Sequence, residues 1–235
     1  PPRSTLFPYT TLFRSISTME QPMNRHNSNP TNNPEPLSSV KYYDENASCY
    51  IAQTKNADVA ELQERFLSYI DPGGRILDLG CGSGRDSLAF VGKGYEVYAM
   101  DASVEMVRYC RSFLGPNVVQ ADFENYEINH IFDGIWACAS LIHVPRKDIV
   151  RILSKYAAMI RPGGVFYMSY KLRDEDYSSG DRVFTCFTES GLDEVLKQVS
   201  GFEKVEYFVT QDVRPQRESE KWLNAIAHVG GSKSE

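Results

Sequence analysis

Cysteine is sparse and unpatterned. Cys49, Cys81, Cys110, Cys138 and Cys186 are odd in number and form no C-x-x-C pair, which argues against a disulfide framework and against a zinc site. No metal is therefore expected, and a reducing, cytoplasmic setting fits. No apolar run is long enough to span a bilayer, so no membrane association is expected. Positive charge is also short: 25 Lys and Arg stand against 31 Asp and Glu, a formal net charge of -6. Such a balance lacks the basic stripe that meets duplex phosphates, which makes nucleic acid an unlikely partner. What is present, in 235 residues that are 42% hydrophobic, suffices for one globular domain.

The chain is organised around Arg75 to Asp101. Ile76, Leu77 and Leu79 read as a buried strand that runs into a glycine turn at Gly80, Gly82 and Gly84. A helix from Ser83 to about Gly92 follows, and then a strand, Tyr95 to Met100, that ends on Asp101. Glycines let the backbone turn tightly off a strand and leave its amides open to a ligand. A carboxylate ending the next strand is placed to accept both hydroxyls of a ribose. A dinucleotide fingerprint would read G-x-G-x-x-G. Here the third glycine falls one residue early and Arg85 takes its place, and Arg85 followed by Asp86 suits an α-amino-carboxylate better than a pyrophosphate.

Further strands are expected at Val118–Ala121, Phe132–Cys138 and Val165–Tyr170, with amphipathic helices from Val104 to Phe113 and from Arg146 to about Ile160. Arg161–Gly164 (R-P-G-G) reads as a turn, and the polar stretch from Lys171 to Arg182 as an exposed, mobile loop. A helix from Thr188 to Gly201 and two strand-like runs, Lys204–Thr210 and Lys221–Val229, close the chain. Upstream, Ala57 to Ile70 is an amphipathic helix stopped by Asp71-Pro72-Gly73-Gly74. Thr5–Ser15 looks like the in-frame translation of a sequencing-library adapter, and Gln21–Ser39 is rich in Asn, Pro and Ser. Residues 1–39 are thus expected to be an artefactual and disordered leader, with Met19 or Met23 as the start, followed by a domain at 40–231 and a tail at 232–235.

Leu77–Gly84 (L-D-L-G-C-G-S-G) with Asp101 resembles motif I and the following acidic motif of the class I S-adenosylmethionine-dependent methyltransferases. The resemblance covers about Tyr42 to Val229. It implies a Rossmann-like α/β fold: a three-layer αβα sandwich whose seven-stranded, mostly parallel sheet ends in an antiparallel hairpin. S-adenosylmethionine is the implied cofactor and S-adenosylhomocysteine the product. Asp78, Gly80, Cys81, Gly82, Gly84 and Arg85 would surround the cofactor, with Asp101 and Ala102 at its ribose. Asp122 would accept from the adenine amine while Phe123 lines the ring; otherwise Asp122 is a turn cap. Ala137 and Cys138 would meet the methionine portion through their main chain.

Tyr43 and Tyr50 lie in a segment similar to the Tyr-Asp-x-x-Ala-x-x-Tyr openings that roof such sites; they touch cofactor or substrate there, or only seat the lid. His143 stands where relatives often carry His or Glu, either as a general base or as a histidine bonded to backbone beside Pro145. No D-P-P-Y, N-P-P-Y or Pro-Cys nucleophile motif is present, and the chain most resembles small-molecule methyltransferases, including the group named after tellurite resistance. The implied partner is a small-molecule acceptor, and the protein a monomer or homodimer. Arg173, or Asp174, Tyr177 or Arg182 beside it, would border the acceptor pocket. Arg214, with Asp212, Trp222 and Asn224, would either hold an anionic acceptor or brace the terminal hairpin. Methylation of RNA or protein, or cofactor binding without catalysis, are the alternatives.

Overall fold

Strand β1 (Arg75–Leu79) is buried along four of its five residues, as a central strand covered on both faces must be. A computed structural model describes residues 37–230, apart from 216 and 218. The adapter-like stretch, both candidate start methionines and the tail at 232–235 lie outside the described residues. Three helices precede β1: α1 (Leu37–Glu45), α2 (Ala47–Thr54) and α3 (Ala60–Leu67). After it come α4 (Arg85–Gly92), β2 (Glu96–Asp101), α5 (Val104–Leu114), β3 (Val118–Gln120), β4 (Phe132–Ala137), α6 (Ile149–Ala157) and β5 (Ile160–Leu172). The chain then forms β6 (Tyr177–Ser179), β7 (Arg182–Phe184), β8 (Cys186–Phe187), α7 (Glu189–Leu196), β9 (Phe202–Gln211) and β10 (Lys221–Val229).

The strand order is β3-β2-β1-β4-β5-β10-β9, parallel from β3 to β5 and antiparallel over the last pair, with β8 added beside β5. The expected seven strands and terminal hairpin are all there, and β8 makes an eighth. One face carries α3 and α4, where Phe66, Phe90 and Trp136 pack with Tyr167 and Ile226. The other carries α6 and α7, with Ile152, Tyr156, Leu192 and Leu196 against Leu77, Ile135 and Phe166. This is the three-layer sandwich. Helix starts follow the expected chemistry: Ser103 Oγ accepts from the Met106 N–H at 3.2 Å, and Thr188 Oγ1 from the Gly191 N–H at 3.1 Å.

Two local expectations are corrected. Arg161–Gly164 is no separate turn but part of β5, whose pairing with β4 shifts register between Phe132 and Gly134. Such an irregularity absorbs the glycine pair without ending the strand. Likewise the polar stretch after β5 contains the hairpin β6–β7, pairing Tyr177 with Phe184 and Ser179 with Arg182. Its stacked Tyr177 and Phe184 rings, with centroids 4.7 Å apart, supply cross-strand packing that polar composition concealed. No helix among the described residues is long and apolar enough to cross a membrane.

The strand order reverses between β1 and β4, because the chain runs outward through β2 and β3 before crossing back. Sheets of this kind place their ligands in the crevice beyond the carboxyl ends of the strands at that reversal.

Candidate active site

Beyond those strand ends lies a cavity of about 760 Å³, lined by the glycine loop, the ends of β2, β4 and β5, and residues of α1 and α2. The glycine loop is built by backbone bonds. The Gly80 and Cys81 N–H groups both donate to the Met100 carbonyl at 2.9 Å, which ties the loop to β2. Gly80 has φ +84°, and a β-carbon there would lie 2.5 Å from Ser140 Cβ, so only glycine fits this turn.

Asp101 closes the loop from the other side. Its Oδ2 accepts from the Gly82 N–H at 2.8 Å and its Oδ1 from the Ser103 N–H at 2.9 Å. Burial raises its pKa against the help of those amides. A carboxylate with spare lone pairs, desolvated against a cavity, is suited to a ligand with two adjacent hydroxyls. This acceptor thus fits the ribose of an adenosyl cofactor. Ala102, Phe123 and Met106 line the same region.

Asp122 lines the cavity as well, but it also caps its own turn. Oδ1 accepts from the Glu124 and Asn125 N–H groups, and Oδ2 from Asn125 Nδ2 at 2.8 Å. Both expected roles are therefore compatible, with Oδ2 keeping room for one further donor.

Arg85 lines the cavity with its Nε and Nη2 committed to Asp86, at 2.9 and 2.7 Å. Asp86 is buried and also accepts from Gln63 Nε2 at 2.6 Å and Trp136 Nε1 at 2.9 Å. This network joins α3, α4 and β4 beneath the loop. Gln63 and Trp136 were not legible as members, since nothing in sequence spacing links them to Asp86.

A lid covers the cavity. Tyr43 and Tyr50 pack edge to face at 5.0 Å, and both line the cavity. Asp44, also unforeseen, accepts from Ser103 Oγ at 2.6 Å and pins α1 to the start of α5. Tyr43 OH lies 2.8 Å from His143 Nε2, and His143 Nδ1 lies 2.8 Å from the Val183 carbonyl. A carbonyl only accepts, so the proton sits on Nδ1, and Nε2 accepts from the tyrosine. Burial lowers the His143 pKa to about 4 against that bond, and the Arg182 and Lys171 charges lower it further. His143 is thus a neutral imidazole that joins lid to hairpin through Val183, not through backbone beside Pro145.

That assignment carries a pH signature. A histidine whose folded pKa is depressed contributes stability above its ordinary pKa and loses it as pH falls toward the folded value. Nitrogen NMR of the imidazole is expected to report the neutral Nδ1–H tautomer from about pH 8 down to about pH 5. Relative to His143→Gln, the native chain is expected to lose stability in urea as pH falls from 6.5 to about 4. Titration of the ring at its ordinary pKa would contradict the geometry.

Five sequence-expected site residues do not line the cavity, Asp174 among them. Asp78 is buried in β1 and accepts from Ser87 Oγ at 2.6 Å; burial first, then the charge of Asp86, raises its pKa to about 7. Its role is to anchor α4, because alternation turns it away from the cavity and into the layer beneath. Gly84 serves close packing, since a β-carbon there would lie 2.8 Å from Cys110 Sγ. Ala137 is fully buried within β4, and Cys138 alone of that pair reaches the cavity. Arg173 points its fork at Glu220, at 2.9 and 3.1 Å, because the nearest carboxylate lies outside. Arg214 does line the cavity, its guanidinium held by Asp212, which also accepts from Trp222 Nε1.

Residues 76–164 match the family model described as a methyltransferase domain. A ubiquinone biosynthesis O-methyltransferase of Xanthomonas campestris pv. campestris is 32% identical over 105 residues, which is 42% of this chain and 43% of that protein. Mouse glycine N-methyltransferase is 27% identical over 153 residues, 56% of this chain and 52% of that one. The chain thus spans about half the length of the curated relatives it matches. Among solved structures, the 1,6-didemethyltoxoflavin-N1-methyltransferase of Burkholderia thailandensis, with that compound and S-adenosylhomocysteine bound, superposes with a TM-score of 0.68 at 23% identity. That match covers 87% of this chain and 93% of the other. The chain has the class I methyltransferase fold, and within it residues 76–164 match the model of a methyltransferase domain.

Proposed function

We propose that the protein transfers a methyl group from S-adenosylmethionine to a small-molecule acceptor in the cytoplasm, as the small-molecule branch of the family does, the tellurite-resistance-type group included. The observation that carries the reading is Asp101, whose carboxylate faces the cavity while fixed by the Gly82 and Ser103 amides. When bound, the cofactor supplies a sulfonium methyl that is electrophilic without protein help. The chain's own residues bind, orient and exclude water. Asp101 holds the ribose, Phe123 and Asp122 the adenine, and the main chain at Cys138 the methionine portion. Tyr43 and Tyr50 roof the site, and a dry, fixed approach is the main help such a transfer needs. His143, neutral and paired with Tyr43 OH, is the group placed to hold a proton from an acceptor hydroxyl or amine, should the tyrosine yield its place. The names of two similar proteins, a ubiquinone biosynthesis O-methyltransferase and a 1,6-didemethyltoxoflavin-N1-methyltransferase, support a small acceptor. So does a cavity of about 760 Å³ lined by residues of α1 and α2, a size suited to a small ligand.

The test is transfer from methyl-labelled S-adenosylmethionine into a cell extract separated into small-molecule, RNA, DNA and protein pools. Label is expected in the small-molecule pool. Label in RNA or protein would replace the acceptor class, and tight cofactor binding with no transfer into any pool would favour a binding protein on the same fold.

A further inference from the structure

The charges that line the cavity are divided by side. Asp58, Glu61, Asp86, Asp101 and Asp122, with Arg85 paired to Asp86, come from the lid's edge, the start of α4 and the ends of β2 and β3, while Lys171, Arg182, Arg214 and Arg217 come from the carboxyl-terminal part. In that basic half the lining carboxylate is Asp212. A chain with a formal net charge of -6 thus presents a positive wall where an acceptor would sit.

Two of these four cations are already neutralised. Asp212 holds Arg214, and Lys171 meets Glu220 at 3.0 Å. Arg182 differs. It makes no ion pair with a described residue; its guanidinium interacts with the Tyr43 hydroxyl, but its Nε is buried with no hydrogen-bond partner among the described residues. Its guanidinium lies over the Tyr42 ring at 3.9 Å and the Phe184 ring at 5.2 Å. The hairpin β6–β7 fixes its backbone through pairing with Ser179. A desolvated donor left unmade is costly unless something else satisfies it. A guanidinium beside aromatic faces presents a planar fork, whose matching ligand is a carboxylate.

We propose that Arg182 recognises the acceptor, and that the acceptor is a small molecule carrying a carboxylate held by this guanidinium beside Tyr42 and Phe184. The inference rests on the methyl-transfer reading and names its substrate class. Arg182 is a binding residue for the acceptor and not for the cofactor, whose half of the cavity lies on the acidic side.

The experiment divides a metabolite extract on a strong anion exchanger at neutral pH into retained and flow-through pools, each assayed with the whole chain and methyl-labelled S-adenosylmethionine. Label is expected from the retained pool, and phosphatase pretreatment is expected to leave it unchanged. Arg182→Met is expected to raise the KM for that pool about 10- to 100-fold while S-adenosylhomocysteine affinity, by calorimetry, changes less than about threefold. Arg182→Lys should recover part of the loss. Label from the flow-through pool, or loss of label after phosphatase treatment, would overturn the carboxylate assignment. Parallel loss of S-adenosylhomocysteine binding would make Arg182 a clasp for α1 and overturn its role in recognition. Transfer from neither pool would overturn the methyl-transfer reading itself, a failure distinct from transfer to neutral compounds.

Discussion

Asp101→Asn is expected to weaken S-adenosylhomocysteine binding by about 30- to 100-fold, because two ribose hydroxyls lose a charged acceptor at about 1–1.5 kcal/mol each. The carboxylate is fixed before any ligand arrives, by the Gly82 and Ser103 amides, so little of its binding energy is spent on ordering it. An asparagine has one oxygen for those two amides, and one N–H then faces an NH₂ group. The free variant is therefore expected to lose about 1–2 kcal/mol in urea denaturation, by the usual cost of an unmade buried bond. Calorimetric titration with S-adenosylhomocysteine checks the first effect. An affinity close to that of the native chain would remove Asp101 from the cofactor site and, with it, the observation on which the functional reading stands.

Asp86→Ala is expected to be the most destabilising single change, at about 3–5 kcal/mol, because it strands the partners of a buried carboxylate. Arg85, Gln63 and Trp136 all donate to it, and none has a substitute within the network. The loss has a pH dependence with a defined sign. The Asp78 pKa is raised to about 7, by burial and then by the charge of Asp86. A carboxyl whose folded pKa is raised subtracts stability as pH rises from its ordinary value through the folded one. Removing Asp86 relieves part of that penalty, so the cost of the substitution is expected to be smaller at about pH 8 than at about pH 5. Urea midpoints at the two pH values measure it; an equal cost at both would mean that the two carboxyls do not interact.

Much of the site was legible in the sequence because its parts lie at element boundaries. Gly80 and Gly82 follow a buried strand, Asp101 ends the next one, and Phe123 follows the third, so a correct reading of strands and turns places each at the same end of a parallel sheet. Residues one step off that pattern were misjudged for a common reason. Asp78 and Ala137 belong to the same motifs in sequence, yet neither lines the cavity: alternation along β1 sends the Asp78 side chain into the layer beneath, and Ala137, expected to act through its main chain, is buried within β4. Gly84 was read with its neighbours, whereas its requirement comes from α5, whose Cys110 and Phe113 press against it.

The partners of the charged groups were not legible at all. Arg173 and Arg182 sit in one polar stretch and look alike in sequence; only the packing of β6, β7 and the approach to β10 gives Glu220 to Arg173 and leaves Arg182 in the cavity. His143 likewise had no predictable state, since its neutrality comes from burial between lid and hairpin, and its tautomer from Tyr43, 100 residues away, and Val183 across the hairpin. What the sequence determined by itself was the order of strands and helices, the glycine turn and the acid at the end of β2, because hydrophobic period and backbone conformation are local properties. The tertiary structure alone decided which charges are neutralised, which imidazole nitrogen keeps its proton and which guanidinium remains for an acceptor. Those depend on distances between groups far apart in the chain, and electrostatic energy follows distance and burial, not sequence separation.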